Sequence, residues 1–240
     1  MFEHLRGPFK RCIAPIARGL VRMGVSANAV TIIGAVGTIV VGFAAGITGW
    51  LFPGAIALTV LVIFDSLDGS VAAITTGGTK FGAFLDSTLD RIADWAVLVA
   101  VILFFILHTG LTHYGDQITS FERTVSWVGM GSALFSIMTS FVTSYARARA
   151  ESVGYEAKNG VATRSDRLVI ILVGMGIAGI THQSIWLAAA MVLLAVLGII
   201  TVSQRIDHVW RTMKADEADA DDAHVLRNRD NHDGRSGESR

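Results

Sequence analysis

Long apolar blocks separated by short polar breaks dominate the chain. They cover about 29–49, 52–74, 83–108, 125–145, 167–182 (extended a little at each end) and 185–204. A helix needs about 20 predominantly apolar residues to cross the hydrocarbon core of a bilayer. The pattern therefore predicts an all-α, polytopic membrane protein with six transmembrane helices. The fifth block, "LVIILVGMGIAGI", is the shortest and is rich in glycine. The flanks read differently. In residues 1–24, Phe2, Leu5, Phe9, Ile13, Ile16 and Leu20 recur at helical spacing with cations between them. That predicts an amphipathic juxtamembrane helix lying in the interface, either as a topology anchor or as part of a site. The stretch lacks the continuous apolar core and small-residue cleavage site of a secretory signal. Residues 25–212 hold the six-helix domain. Residues 213–240, polar and highly charged from Ala215 on, are expected to form a disordered cytoplasmic tail. His224 and His232 there are expected in solvent rather than on a metal.

Composition agrees with a lipid-embedded chain: of 240 residues, 52% are hydrophobic and 17% charged. The formal net charge is zero, and no nucleic-acid partner is expected. The distribution of cations is more informative than their sum. Arg6, Lys10, Arg11, Arg18 and Arg22 precede the first span. Arg147, Arg149, Lys158, Arg164 and Arg167 surround the loop between the fourth and fifth, and Arg205, Arg211 and Lys214 follow the sixth. The alternate loops carry only Arg123. This asymmetry predicts that both termini and the basic loop face the cytoplasm from a cell membrane. Cys12 is the single cysteine, so no intramolecular disulfide is possible.

Against that background "FDSLDGSVAAITTGGTKFGAFLDSTLD", residues 64–90, is anomalous. It places Asp65, Asp68, Asp86 and Asp90 within two apolar spans, where each charge costs roughly 2.5–3.5 kcal/mol on the insertion scale. Spacings of three and four put each pair on one helix face. Measured along the two helices at about 1.5 Å per residue, both pairs reach similar depth near the cytoplasmic side. The short connection "TTGGTK" predicts that the two helices are antiparallel neighbours. Four facing carboxylates need a counter-charge. Arg91, the arginine near in sequence, cannot neutralise four. Hard divalent cations take oxygen ligands and keep water or phosphate in their shell, and two of them would balance the set. Magnesium is the expected ion, with manganese an alternative. Gly69, next to Asp68, leaves a bare backbone that can admit a phosphate. Asp94, one turn beyond Asp90, is read as a buried polar group bonded to a neighbouring helix.

The string Asp65-x2-Asp68-Gly69-x2-Ala72-x9-Gly82-x3-Asp86-x3-Asp90 resembles the signature of the CDP-alcohol phosphotransferases. Those membrane enzymes move a phosphatidyl group from a CDP-linked lipid to an alcohol and release CMP. The resemblance implies that Asp65, Asp68, Asp86 and Asp90 ligate the metals and that Asp90 also takes the acceptor's proton. It implies contacts to the donor, CDP-diacylglycerol, from Asn28, Ala29, Val30, Thr31, Gly69, the position of Ala73, and Thr79. A homodimer is implied as well. Two positions depart from the pattern. Ala27 replaces a usual proline, and Ala73 stands where an arginine usually meets the donor diphosphate. Either Lys80 supplies that charge from the turn or the contact is lost.

Further on, "TSYARARAESVGYEAKNGVATRSDR" resembles the acceptor region of actinobacterial phosphatidylinositol phosphate synthases. The likeness implies a pocket for inositol phosphate from Ser144, Arg147 and Arg149, completed by Arg164 or Arg167 and by Arg205. Arginine forks suit a phosphorylated polyol, although positive-inside topology alone would also place cations here. The expected activity is magnesium-dependent transfer of the phosphatidyl group to 1D-myo-inositol 3-phosphate. The alternatives are a phosphatidylglycerophosphate synthase using glycerol 3-phosphate, a catalytically silent relative, and a divalent-cation carrier. The carrier is disfavoured because no second acidic half repeats the first.

Overall fold

The computed structural model describes residues 15–75, 77–109, 119–157 and 159–237, excluding the side chains of 66, 68–70, 73, 75 and 219–237. Every regular element among them is helical: α1 (15–22), α2 (Ala27–Thr48), α3 (Leu51–Thr75), α4 (Lys80–His108), α5 (Ser120–Ser152), α6 (Arg164–Thr181) and α7 (Ser184–Gly237). Four of these are long and apolar enough to cross a membrane: Ala27–Thr48, Lys80–His108, Ser120–Ser152 and Ser184–Ala218. The apolar part of α3, Leu51–Asp65, is shorter, and α6 opens with Arg164, Asp166 and Arg167 in its first turn.

Helix boundaries follow local chemistry. The Ser26 hydroxyl accepts the Ala29 N–H at 3.2 Å, so α2 starts on a serine cap and Ala27 serves at its first position without proline. Gly77 and Gly78 take φ of 69° and 91° in the turn before α4, a region costly for other residues. Thr79 then caps α4, accepting the Gly82 N–H at 2.9 Å. At α6 the Asp166 carboxylate accepts from the Thr163 N–H and hydroxyl at 2.9 and 2.7 Å.

The described residues form two compact units. One comprises the chain as far as Met138 with Thr163–Val196; the other comprises Thr139–Ala162 with the residues from Leu197 on. In the first, the extensive helix contacts are α2 with α4, α2 with α3, and α3 with α6. Helices α3 and α4, expected to be direct neighbours, share α2 as a common packing partner among the described residues. The glycines of "GAVGTIVVGFAAG" make that possible. Gly46 lies so close to the backbone of Ala100 in α4 that a Cβ would collide with its carbonyl, and Gly34 lies against Asp65 of α3. Without an aqueous driving force between helices, such close packing is what holds them together. Phe105, Leu58, Leu187 and Met191 fill the main core. A smaller cluster joins Ala17 of α1 to Val30, Leu67 and Val71, with Leu20 and Val21 partly buried against it. So α1 docks on α2 and α3, while Phe2, Leu5, Phe9 and Ile13 lie outside the described residues.

In the second unit, the segment before α6 is tied to α7. Ala162 N–H donates to the Thr201 hydroxyl and Val161 N–H to Gln204, both at 3.1 Å. The stretch 213–237, expected to be disordered, continues α7 as helix to Gly237. Extending an existing helix avoids the nucleation cost, and alanine, glutamate and arginine are good helix formers.

Candidate active site

Asp65, Asp86 and Asp90 converge: each offers a carboxylate oxygen within 4.8 Å of the other two. Helical spacing aligns Asp86 and Asp90 on one face of α4, and Gly34 lets Asp65 approach across α2. A Cβ there would stand 3.3 Å from its Oδ1. All three carboxylates are half-buried. The side chains of Asp68 and Ala73 lie outside the described residues, as do the surroundings of Gly69.

The counter-charge comes from α6. Arg164 donates to Asp65 Oδ2 at 3.2 Å and pairs with Asp90 Oδ1 at 2.9 Å and with Asp94 Oδ1 at 3.3 Å. Arg167 bonds Asp94 Oδ2 at 3.0 Å in a buried position. Asp94 is therefore bonded to a neighbouring helix, as expected. Arg91, the neighbour in sequence, has a buried Nη1 with no hydrogen-bond partner among the described residues. Asp65, Asp90 and Asp94 thus share the two guanidiniums of Arg164 and Arg167. The clustered oxygens of Asp65, Asp86 and Asp90 fit a hard divalent cation such as magnesium or manganese.

Beside the carboxylates opens a cavity of about 510 Å³, lined by Asn28, Thr31, Thr79, Gly82 and Asp86 among others. The first turns of α2 and α4 meet here, and unsatisfied N–H groups with a positive helix end favour an anion. Asp86 belongs to both the cavity and the carboxylate cluster. Two expected donor contacts fall elsewhere. Ala29 is not on the cavity wall, and Val30 is buried among Ala17, Leu67 and Val71, because successive helical residues turn by about 100°.

The expected acceptor residues divide between the two units. Arg164 and Arg167 stand at the carboxylates. In the other unit, Ser144 donates to the Ser140 carbonyl at 3.0 Å, Arg147 pairs with Glu151 at 2.9 Å, and Arg149 bonds Ser152 at 3.2 Å. Arg205 is buried, and it donates to the backbone carbonyls of Asn159 and Thr143 at 2.9 and 2.6 Å. Those bonds give it a structural task that basic composition alone does not reveal. Sequence reasoning missed the pairing of Arg164 with Asp65 and Asp90. The one signal was a pair of arginines in the first turn of a helix, where the dipole disfavours cations.

Comparisons with known proteins agree with this geometry. The family model described as CDP-alcohol phosphatidyltransferase matches residues 24–202. A phosphatidylinositol phosphate synthase of Mycobacterium marinum is 37% identical over 85% of this chain and 82% of its own. The crystal structure of Mycobacterium tuberculosis phosphatidylinositol phosphate synthase with CDP-DAG bound is similar at a TM-score of 0.72 and 36% identity. It covers 83% of this chain and 94% of the other. The same enzyme in complex with manganese and citrate gives 0.71 and 37%, covering 82% and 88%. With its acidic signature converging in space and most of its length matched, the chain belongs to the CDP-alcohol phosphatidyltransferase family of membrane enzymes.

Proposed function

We propose that this protein transfers the phosphatidyl group of CDP-diacylglycerol to 1D-myo-inositol 3-phosphate, giving phosphatidylinositol phosphate and CMP. The observation that carries the proposal is the double placement of Asp86, at once on the wall of the cavity and in the carboxylate cluster. A donor diphosphate reaching from the cavity would meet the cation-binding oxygens there. Arg164, 2.9 Å from Asp90, supports a phosphorylated acceptor: a guanidinium that recognises phosphate stands beside the base. The naming of the similar enzymes points the same way.

Asp65, Asp86 and Asp90, with Asp68 of the same motif, would hold the divalent ions; when bound, these neutralise charge on the diphosphate and on departing CMP. The protein's own groups do the rest. Asp90 accepts the proton of the acceptor hydroxyl. The hydroxyl oxygen bonds to the phosphorus that carries the diacylglycerol, and the bond from that phosphorus to the CMP oxygen breaks. The first turns of α2 and α4, with Asn28, Thr31 and Thr79, hold the nucleotide, and Arg164 orients the acceptor phosphate. Ser144, Arg147, Arg149 and Arg205 remain acceptor candidates on sequence likeness, and of the alternatives Arg164 and Arg167 the first takes the phosphate. In the same proposal α2 to α7 make six spans with both termini and the site on the cytoplasmic side, and the chain forms a homodimer.

The test is CMP release by the reconstituted protein with CDP-diacylglycerol and, in parallel, inositol 3-phosphate, glycerol 3-phosphate, inositol and serine. Turnover with inositol 3-phosphate in excess of all others is expected. Preference for glycerol 3-phosphate would reassign the acceptor. Ala73 allows a second prediction. Restoring the family's cation with Ala73→Arg should tighten CDP-diacylglycerol binding by about tenfold if some 1.4 kcal/mol of contact is recovered. The KM of the acceptor should stay unchanged. If donor affinity does not move while Lys80→Ala abolishes it, Lys80 holds the diphosphate instead.

A further inference from the structure

Asp94 lies outside the family signature, yet it is among the most enclosed charged groups of the site, its side chain only 7% exposed. It does not join the metal-binding cluster. Both of its oxygens are taken by guanidinium groups, Oδ1 by Arg164 Nε and Oδ2 by Arg167 Nη2. It lines one small cavity together with Asp65, Asp90 and Arg164.

We infer that Asp94 is a positioning residue for the transfer reaction: it fixes the Arg164 guanidinium at the angle that serves Asp65, Asp90 and the acceptor phosphate together. The geometry supplies the reasons. Arg164 is the more exposed partner, at 29%, and a long arginine side chain in that position has many rotamers. A bond to Nε fixes the guanidinium plane, which a bond to either terminal nitrogen alone would leave able to swing. With Nε on Asp94, Nη1 falls on Asp65 and Nη2 on Asp90. A guanidinium has five N–H donors, so two remain beyond these three contacts. Arg167 has a different part. It balances the second oxygen of Asp94 in the buried layer, where an unpaired charge would be costly. Both arginines sit in the first turn of α6, against the helix dipole, and Asp94 offsets that cost for the pair.

The inference rests on the transferase reading above, and the experiment separates the two. Asp94→Asn keeps the shape but leaves one oxygen for two guanidiniums, so Arg164 loses its anchor. Acceptor-dependent CMP release should show kcat/KM for inositol 3-phosphate reduced by about tenfold, the size expected for one charge-assisted hydrogen bond. The KM for CDP-diacylglycerol should stay within about twofold of its starting value. In an Arg164→Gln background the same change should have almost no further effect, because the residue through which Asp94 acts is gone. Asp94→Asn can also destabilise the protein by leaving Arg167 unpaired. It is therefore repeated in an Arg167→Gln background, where the acceptor defect should persist. Equal losses with and without Arg164 would overturn the inference. So would restoration of acceptor kcat/KM by Arg167→Gln, which would make Asp94 a buried counter-ion and nothing more. A starting protein that releases no CMP with inositol 3-phosphate counts instead against the proposed function.

Discussion

Asp86→Asn should reduce CMP release roughly a thousandfold, a loss of about 4 kcal/mol of transition-state stabilisation, and should weaken binding of manganese measured by electron paramagnetic resonance. Asp86 shares oxygens within 4.8 Å with Asp65 and Asp90, and it also lines the cavity between the first turns of α2 and α4. It is therefore the carboxylate through which a cation and the donor diphosphate meet. An amide keeps the size and one oxygen but removes the charge. The local balance then becomes less negative with Arg164 still in place, and a divalent ion gains less by entering. Both readouts should fall together, whichever acceptor is supplied. The fold should be spared: removing one of several crowded like charges relieves repulsion, and Asp86 is only half-buried. Near-full activity in the Asp86→Asn protein would defeat the metal assignment.

The acidic signature was legible because its information is local. Spacings of three and four residues decide which side chains share a helix face, and that alone grouped Asp86 with Asp90. The glycines of α2 permit close approach wherever they point. What they approach was not legible. Gly46 seats on Ala100 and Gly34 on Asp65, so α2 is a packing partner of both helices that carry the carboxylates. Counter-charge was the least legible feature. Arg164 reaches Asp65 across 99 positions of sequence, and beyond its place in the first turn of a helix nothing local distinguishes it from the other cations of a basic loop. Arg205 shows the same ambiguity from the other side: the resemblance assigned it to a phosphate pocket, and its guanidinium also holds the carbonyls of Asn159 and Thr143. A cation's role depends on which acceptors the fold presents to it, and those come from distant segments. The helical course of α7 beyond residue 212 was missed for a related reason. Composition judged the segment in isolation, whereas in the chain it extends a helix already formed.

Asp90→Asn should separate binding from chemistry. Asp90 lies one turn from Asp86 on the same face and pairs with Arg164 at 2.9 Å, the contact that places it toward the acceptor. The amide cannot take a proton, so transfer should fall by about a hundredfold or more, the usual worth of a positioned base. Donor binding should change less. Asp90 is absent from the wall of the larger cavity, which Asn28, Thr79 and Asp86 line, so the affinity for CDP-diacylglycerol should stay within about tenfold of the starting protein. Arg164 meanwhile loses one of its three carboxylate partners but keeps Asp65 and Asp94. Its place should hold, and so should much of the acceptor affinity. The expected pattern is a low kcat with both KM values close to their starting values, which marks an interaction made chiefly in the transition state. Equilibrium binding of labelled donor, run beside single-turnover CMP release, reads the two effects separately. If donor binding and transfer disappear together, Asp90 is above all a metal ligand, and the proton must leave the acceptor hydroxyl by another route.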